Sequence, residues 1–422
     1  MKKVKIYQIG LGSFGRYGFE KLIGMHKHLR EPDVEFKGLC ERDFEKRTNA
    51  EKFAEANDVD IETFDNVQEM YEAASEEDGK VMIYDAGPSR NHADNIYNSI
   101  NFNFFHLAEK PPSLTREEHL KEKELAKDKE VFWKVDFIER ENPVIKKTLQ
   151  LVGNFEIDKI KVFRESTIGV QKILQPVERQ GVRGGDILDK MCHEVYVLDF
   201  LEENGQDIEL EFEGAESHYF MPKNIVSDDM MSIYGGKCRE FDDEVATAQT
   251  EAHFSAEDIE IQLNSSWLGT SKESREISRN LEEELGHSLI KSDFSMGGDQ
   301  AFVDEECRFF LIEGERNLLG DMMHNKLFDL DRNEQIEVPN LMHDQLYRVL
   351  RKSISKAAGA DIETISDKEI DVFMSSIFDI RENVVEGKDF YDELEKAKVR
   401  VRQLVAQDDK VLENQDSEQV TG

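Results

Sequence analysis

Lys110, Asp189 and His193 carry the chemistry that this sequence offers most plainly. Lys110 stands in Glu109-Lys110-Pro111, directly after a predicted strand over residues 104–107. Asp189 and His193 end the run Arg183-Gly184-Gly185-Asp186-Ile187-Leu188-Asp189-Lys190-Met191-Cys192-His193. They are four positions apart on a predicted helix, so both side chains project from one face. Imidazole has the ordinary pKa nearest neutrality, which suits it to accept a hydroxyl proton. A carboxylate one turn away can orient it or bind a substrate hydroxyl. A lysine at a strand terminus can hydrogen-bond the same hydroxyl and stabilise a developing alkoxide. Asp189, His193 and His92 could instead be metal ligands, but no HExxH pattern or third ligand at fixed spacing accompanies them, and no metal is expected.

A second constellation supplies the other half of such a reaction. Gly10-Leu11-Gly12-Ser13-Phe14-Gly15 is a GxGxxG run between a predicted strand at 4–9 and a predicted helix at 14–29. The first glycine makes the tight turn, and the second lets the backbone approach a pyrophosphate. The third lets helix and strand pack closely, with the helix N-terminus facing the anion. A second predicted strand, 34–40, ends at Glu41-Arg42, with Glu41 26 residues beyond Gly15. A carboxylate there can accept bonds from both ribose hydroxyls of NAD and opposes the extra phosphate of NADP. Arg42 leaves NADP open, because a guanidinium can bind that phosphate or stack on adenine. NAD is favoured over NADP. A nicotinamide would take the hydride, and the protein would supply placement.

These residues need elements to hold them. Predicted strands at 80–86, 104–107 and 131–137 alternate with helices at 43–57, 66–75, 92–100 and 115–128, which implies a Rossmann-like, doubly wound parallel sheet over residues 1–140. Asp85-Ala86-Gly87-Pro88-Ser89-Arg90-Asn91-His92 reads as a strand end, a proline turn and a helix start. That segment and Glu109-Lys110-Pro111 fall at the sheet edge where α/β folds bind ligands. Beyond residue 142 come a helix at 143–152 and strands at 160–164, 208–212, 244–254, 259–263, 288–292 and 308–312, with one helix at 185–201. This predicts an α+β domain over 141–345 with an open, largely antiparallel sheet. Helices at 341–358, 367–385 and 390–405 form a C-terminal segment, 346–405, packed on the body. The polar end, 406–422, is expected to be a disordered tail. The stretch 215–244 matches no pattern.

Composition narrows the partners. The 422 residues carry a formal charge of −36, which opposes phosphate backbones and anionic membrane surfaces. No nucleic acid and no membrane is expected. The acidity fits either a salt-rich cytosol or an ordinary acidic protein. Cys40, Cys192, Cys238 and Cys307 are far apart with no CxxC pair, consistent with buried thiols in a reducing, cytoplasmic setting. Lys159, Lys161, Arg164, Lys172, Arg179 and Arg183 stand out in so acidic a chain. Either they attract an anionic substrate (a sugar acid, sugar phosphate or nucleotide sugar), with Arg164, Arg179 and Arg183 its contacts, or they pair with local carboxylates.

The motifs in order are GxGxxG, the acidic strand tip, Pro88-x-x-x-His92, Glu109-Lys110-Pro111 and Gly184-Gly185-x-x-x-Asp189-x-x-x-His193. This order resembles the Gfo/Idh/MocA oxidoreductase family, which includes glucose–fructose oxidoreductase and inositol dehydrogenase. The motifs cover residues 1 to about 205, and Arg140-Glu141-Asn142-Pro143 resembles that family's crossing between domains. The resemblance implies that Lys110 lies between nicotinamide and substrate hydroxyl, that Asp189 binds substrate, and that His193 is the base. It implies that Pro88 and His92 line the nicotinamide pocket, that Glu109 and Pro111 shape their turn, and that Gly10, Gly12, Ser13, Phe14, Gly15, Glu41 and Arg42 serve the adenosine diphosphate half. It also implies a sugar or polyol substrate and a homodimer or homotetramer. Arg183, Met191 and Ser89 depart from the family's glycine, glycine and asparagine, which bears on substrate identity more than on chemistry. Two other activities use the same parts: a non-catalytic dinucleotide and sugar sensor, and an NAD-retaining glycosidase.

Overall fold

In the computed structural model, alternate residues of strand β1 (Val4–Ile9) enter two different cores. Val4 and Ile6 join one apolar cluster, Tyr7 and Ile9 another. A strand covered on both faces is what the centre of a parallel sheet requires. The structure describes residues 3–28, 34–127, 129, 133–167, 185–220, 246–297, 300–339, 344–362 and 364–386. Five strands join β1: β2 (Val34–Cys40), β3 (Glu62–Phe64), β4 (Lys80–Asp85), β5 (Phe105–Ala108) and β6 (Trp133–Val135). Every neighbouring pair is parallel, in the order β3-β2-β1-β4-β5-β6. Helices α1 (Ser13–His28), α2 (Phe44–Ala56), α3 (Val67–Ser75), α4 (His92–Asn101) and α5 (Arg116–Lys127) connect them. Asp43 caps α2 by accepting from Lys46 N at 3.1 Å, and Asn66 caps α3 through Gln68 N at 2.8 Å. The strand order reverses between β1 and β4, the switch point at which such sheets bind ligands.

This first unit comprises residues 1–142 and 340–378. Its last part returns from far along the chain as α10 (Gln345–Ala357). Leu346, Leu350 and Ile354 of α10 complete the cluster of Val4, Ile6, Phe36 and Leu107. Lys21 pairs with Asp344 at 2.7 Å, and Lys352 pairs with Glu141 at 2.6 Å. Helix α11 (Asp367–Asn383) adds Phe373 edge-on to Phe137 and an ion pair between Glu369 and Arg140 at 2.7 Å.

The second unit holds residues 143–339 and 379–422. It contains α6 (Pro143–Val152), β7 (Ile157–Ser166), α7 (Gly185–Asp189), α8 (Tyr196–Glu203), β8 (Glu211–Phe220), β9 (Ala246–Ala256) and β10 (Ile259–Ser266). Then come α9 (Lys272–Leu285), β11 (Lys291–Gly297), β12 (Gln300–Gly314), β13 (Leu318–Asp321), β14 (Lys326–Asp329), β15 (Glu334–Ile336) and β16 (Val385–Glu386). The sheet runs β15-β14-β13-β12-β7-β10-β9-β8-β16, with β11 paired to β12. Only β7 with β10 and β8 with β16 are parallel, so the sheet is open and largely antiparallel, as expected. Along β12 the pleat sorts the faces. Phe310 meets Tyr196 and Phe200 of α8, while Phe309 and Leu311 cluster with Phe163 and Leu281 of α9.

Two expectations need correction. Helix α9 is a second helix among these strands, where the sequence reading placed one. The expected helix over 185–201 is three pieces: α7, a 3-10 turn at Met191–His193, and α8. Asp186 accepts from Thr250 and Ser265, Asp189 accepts from Trp267 and Lys190 donates to Ser166, which ties this segment to several strands. Those ties prevail over a continuous i→i−4 ladder. Cys40, Cys192 and Cys307 are buried cysteines. The predicted helix at 390–405, the tail 406–422, Lys172, Arg179, Arg183, Cys238 and most of 215–244 lie outside the described residues. No helix among the described residues is long and apolar enough to cross a membrane.

Candidate functional site

The glycine-rich turn shows why each glycine is needed. Gly10 has φ +86°, and a Cβ on it would meet Ala86 O at 2.7 Å. A Cβ on Gly15 would meet Gly10 O at 2.5 Å, so helix and strand touch there. A Cβ on Gly12 would meet nothing within 4 Å. The space over Gly12 is therefore open on the side where a phosphate would approach the start of α1. This geometry fits a dinucleotide pyrophosphate. Buried Gln8 braces the turn from below, donating to Gly10 O at 2.8 Å and to Gly15 O at 2.7 Å. Sequence reasoning passed over Gln8; its signal was a lone polar residue inside an apolar strand next to the glycines. Phe14 is partly exposed on the first turn of α1, and the side chain of Ser13 lies outside the described residues.

Glu41 sits at the tip of β2. Its carboxylate accepts from Leu11 N at 2.7 Å and from Asp43 N at 3.1 Å. It thus joins the strand tip to the glycine turn, with Arg42 exposed beside it. Arg47, which sequence reasoning missed, donates to the backbone oxygens of Glu41 and Arg42 at 2.5 and 3.0 Å.

Across the switch point, Asp85 is fully buried at the end of β4. It accepts from Gly87 N at 2.9 Å and from Asn95 Nδ2 at 2.7 Å. Pro88 is exposed and precedes a 3-10 turn at Ser89–Asn91. The ring nitrogens of His92 face two carbonyls, Pro111 O at 2.8 Å and Gly87 O at 3.0 Å. His92 is buried, so within this unit it ties the Gly87-Pro88 turn to the Glu109-Lys110-Pro111 turn. Backbone bonds Glu109 N to Asp85 O (2.8 Å) and Asp136 N to Ala108 O (2.7 Å) stitch the same edge. The Lys110–Pro111 peptide is cis, and Lys110 is half-buried.

Beneath Lys110 lies a carboxyl pair. Glu109 accepts from Tyr84 Oη at 2.7 Å. Burial pushes its carboxyl up to about 7, against the opposing pull of Tyr84, Asp136 and Lys110. Burial, reinforced by the charge of Glu109, raises Asp136 well above the usual carboxylate range. The pair therefore retains a proton near neutrality. Below the ordinary carboxylate range both folded and unfolded chains hold this proton. As pH rises towards about 7, only the folded chain still holds it. The stability that the Glu109 carboxyl contributes is therefore present at low pH and lost as pH rises from about 4.5 through about 7. Denaturant melts at pH 5 and 8 should show that loss in the native protein and a flatter dependence in Glu109→Gln.

In the second unit, Asp189 is buried and accepts from Trp267 Nε1 at 2.9 Å. His193 is half-buried on the 3-10 turn that follows. The buried neighbour Lys190 donates to Ser166 Oγ at 2.7 Å and to Ser266 O. Burial raises Asp186 to about 6 despite bonds from Ser265, Thr247 and Thr250. Arg164 is buried and pairs with buried Glu194 at 3.4 Å. Lys159 and Lys161 pair with Glu260 and Glu273 at 2.6 and 2.8 Å. Of the stretch of bases, those three are engaged with carboxylates.

No protein-family model matches the chain, and no curated protein matches it. Solved structures do. A UDP-N-acetylglucosamine 3-dehydrogenase of Acidithiobacillus ferrooxidans is 14% identical, covers 91% of this chain and 98% of its own, and has a TM-score of 0.60. A 3-ketoreductase of Actinomadura kijaniata, in complex with TDP-benzene and NADP, is 15% identical with the same coverage and a TM-score of 0.59. At these identities the likeness establishes the fold: a Rossmann-like parallel sheet followed by a mixed, mostly antiparallel one.

Proposed function

We propose that this chain is a nicotinamide-dependent oxidoreductase that interconverts a secondary alcohol and a ketone on a sugar, polyol or sugar derivative. The observation that carries the reading is the C-terminal edge of the parallel sheet. There an open Gly12 face, the Glu41 tip, the His92-braced turns and Lys110 converge on one switch point. A bound nicotinamide would supply the hydride acceptor or donor. Lys110 would donate to the reacting oxygen, Asp189 would bind the substrate hydroxyl, and His193 would take its proton. These three roles rest on the family resemblance and on residue chemistry. Both solved relatives support placing nucleotide sugars among the candidate substrates, since one is named for such a substrate and the other holds a nucleotide ligand.

The test is reduced-nicotinamide absorbance, with NAD and NADP, across polyols, sugars, sugar acids and nucleotide sugars. Turnover with one class is expected. Silence across the panel with dinucleotide still bound would select a sensor. Release of an aryl aglycone without net cofactor reduction would select a glycosidase. Cofactor choice turns on the strand tip, where Glu41 favours NAD and Arg42 and Arg47 favour NADP; the related ketoreductase holds NADP. Glu41→Ala should weaken both dinucleotides, because it also frees Leu11 N and Asp43 N. NAD should lose about tenfold more than NADP, about 1.4 kcal/mol. Equal losses in binding titrations would remove Glu41 as the ribose ligand.

A further inference from the structure

In the second unit, on the sheet face that α9 covers, three metal-ligating side chains converge. His287 follows α9, Asp321 ends β13, and His324 lies in the turn to β14. Asp321 is fully buried, and its Oδ1 accepts from Met323 N at 3.0 Å and His324 N at 3.1 Å. Its Oδ2 faces His287 Nε2 and His324 Nδ1, each at 2.7 Å. The three candidate ligand atoms all lie within 4.8 Å of one another. His287 is held by the Phe328 ring at 5.1 Å and stands perpendicular to His324 at 5.3 Å.

We propose that His287, Asp321 and His324 bind a divalent transition-metal cation of the zinc class, which ties the end of α9 to the β13–β14 hairpin. Two imidazole nitrogens and one carboxylate oxygen suit zinc, cobalt or nickel, whereas calcium and magnesium favour all-oxygen sets. The His324 side chain is 36% exposed, which leaves room for water as a further ligand. Metal–ligand bonds of about 2.0–2.1 Å need ligand atoms roughly 3 Å apart or more. The two contacts at 2.7 Å must therefore open slightly, and the exposed turn carrying His324 permits it. No spacing motif signals this site, because strands β11 and β12 separate His287 from β13, which Asp321 ends. The metal-free expectation from sequence weighed Asp189, His193 and His92 and did not consider these three residues.

Lys326 gives the proposal a distinctive consequence. Its Nζ lies 3.2 Å from His287 Nδ1. In the metal-free cluster it donates to Nδ1, which leaves the ring proton on Nε2, facing Asp321. A cation on Nε2 reverses this: Nδ1 then carries the proton, and the ammonium must swing into solvent. Lys326 is thus a competitor of the metal.

The experiment is titration of chelator-treated full-length protein with Co²⁺ alone, read by visible absorption and calorimetry, with thermal melts in Zn²⁺. A single ion per chain, a ligand-field band and a raised Tm are expected. His324→Ala, on an exposed turn, should weaken binding about tenfold or more. Lys326→Ala should tighten it several-fold. Absence of the band and of the Tm shift would mean a self-contained hydrogen-bonded cluster and overturn the proposal. Equal Co²⁺ affinity in native protein and His324→Ala would do the same. These readouts do not depend on turnover.

Discussion

Lys110→Ala and His193→Ala are each expected to lower turnover by about 10²–10⁴-fold with dinucleotide affinity little changed. The lysine can be removed without undoing its turn. Glu109 is held by Tyr84, and Pro111 O is held by His92. What disappears is a cation at the end of β5, beside the switch point, where a reacting oxygen would be polarised. His193 sits on a short 3-10 turn whose backbone is fixed by bonds to Lys190 O and from Glu194 N to Met191 O. Truncating its ring removes a proton acceptor and leaves that backbone in place. Steady-state rates, with dinucleotide Kd measured separately by fluorescence, divide the two effects. Near-normal rates in both variants would show that neither residue handles the proton.

Gly12→Val and Gly10→Ala should separate binding from folding. At Gly12 the added side chain has open space, so the melting temperature should hold. Dinucleotide affinity should fall by at least about tenfold, about 1.4 kcal/mol, because the chain would occupy the approach of the pyrophosphate. At Gly10 a methyl group meets Ala86 O at 2.7 Å and Gly87 Cα at 2.8 Å. The positive φ there adds backbone strain of about 1–3 kcal/mol. Gly10→Ala should therefore melt earlier whether or not ligand is present. If Gly12→Val binds NAD and NADP as the native chain does, the turn does not hold the pyrophosphate.

The parallel half was legible because its signals are local. An apolar run, a glycine turn and a helix follow one another within 28 residues in β1 and α1. The carboxylate at Glu41 and the turn at Lys110 were found by their place after strands. Other features were hidden because their partners lie far away in sequence. Glu109 and Asp136 acquire their shared role only when the strand ends are aligned with Tyr84. Helix α9 escaped because its inward stripe is three residues, Ile277, Leu281 and Leu285, in a charged segment. The broken helix around Asp189 escaped for a different reason. Its apolar spacing is helical, and tertiary bonds from Asp186, Asp189 and Lys190 decide where it bends.

The return of α10 into the first core has a consequence for biosynthesis. Leu346, Leu350 and Ile354 are needed to seal the cluster built on Val4 and Ile6. The ribosome must therefore translate well past the second sheet before the amino-terminal half can close. A nascent chain halted before residue 345 would display an oily groove to chaperones. An excised fragment ending at Asn142 would need residues 340–378 supplied in trans or grafted on by permutation to become a stable, separately purified body.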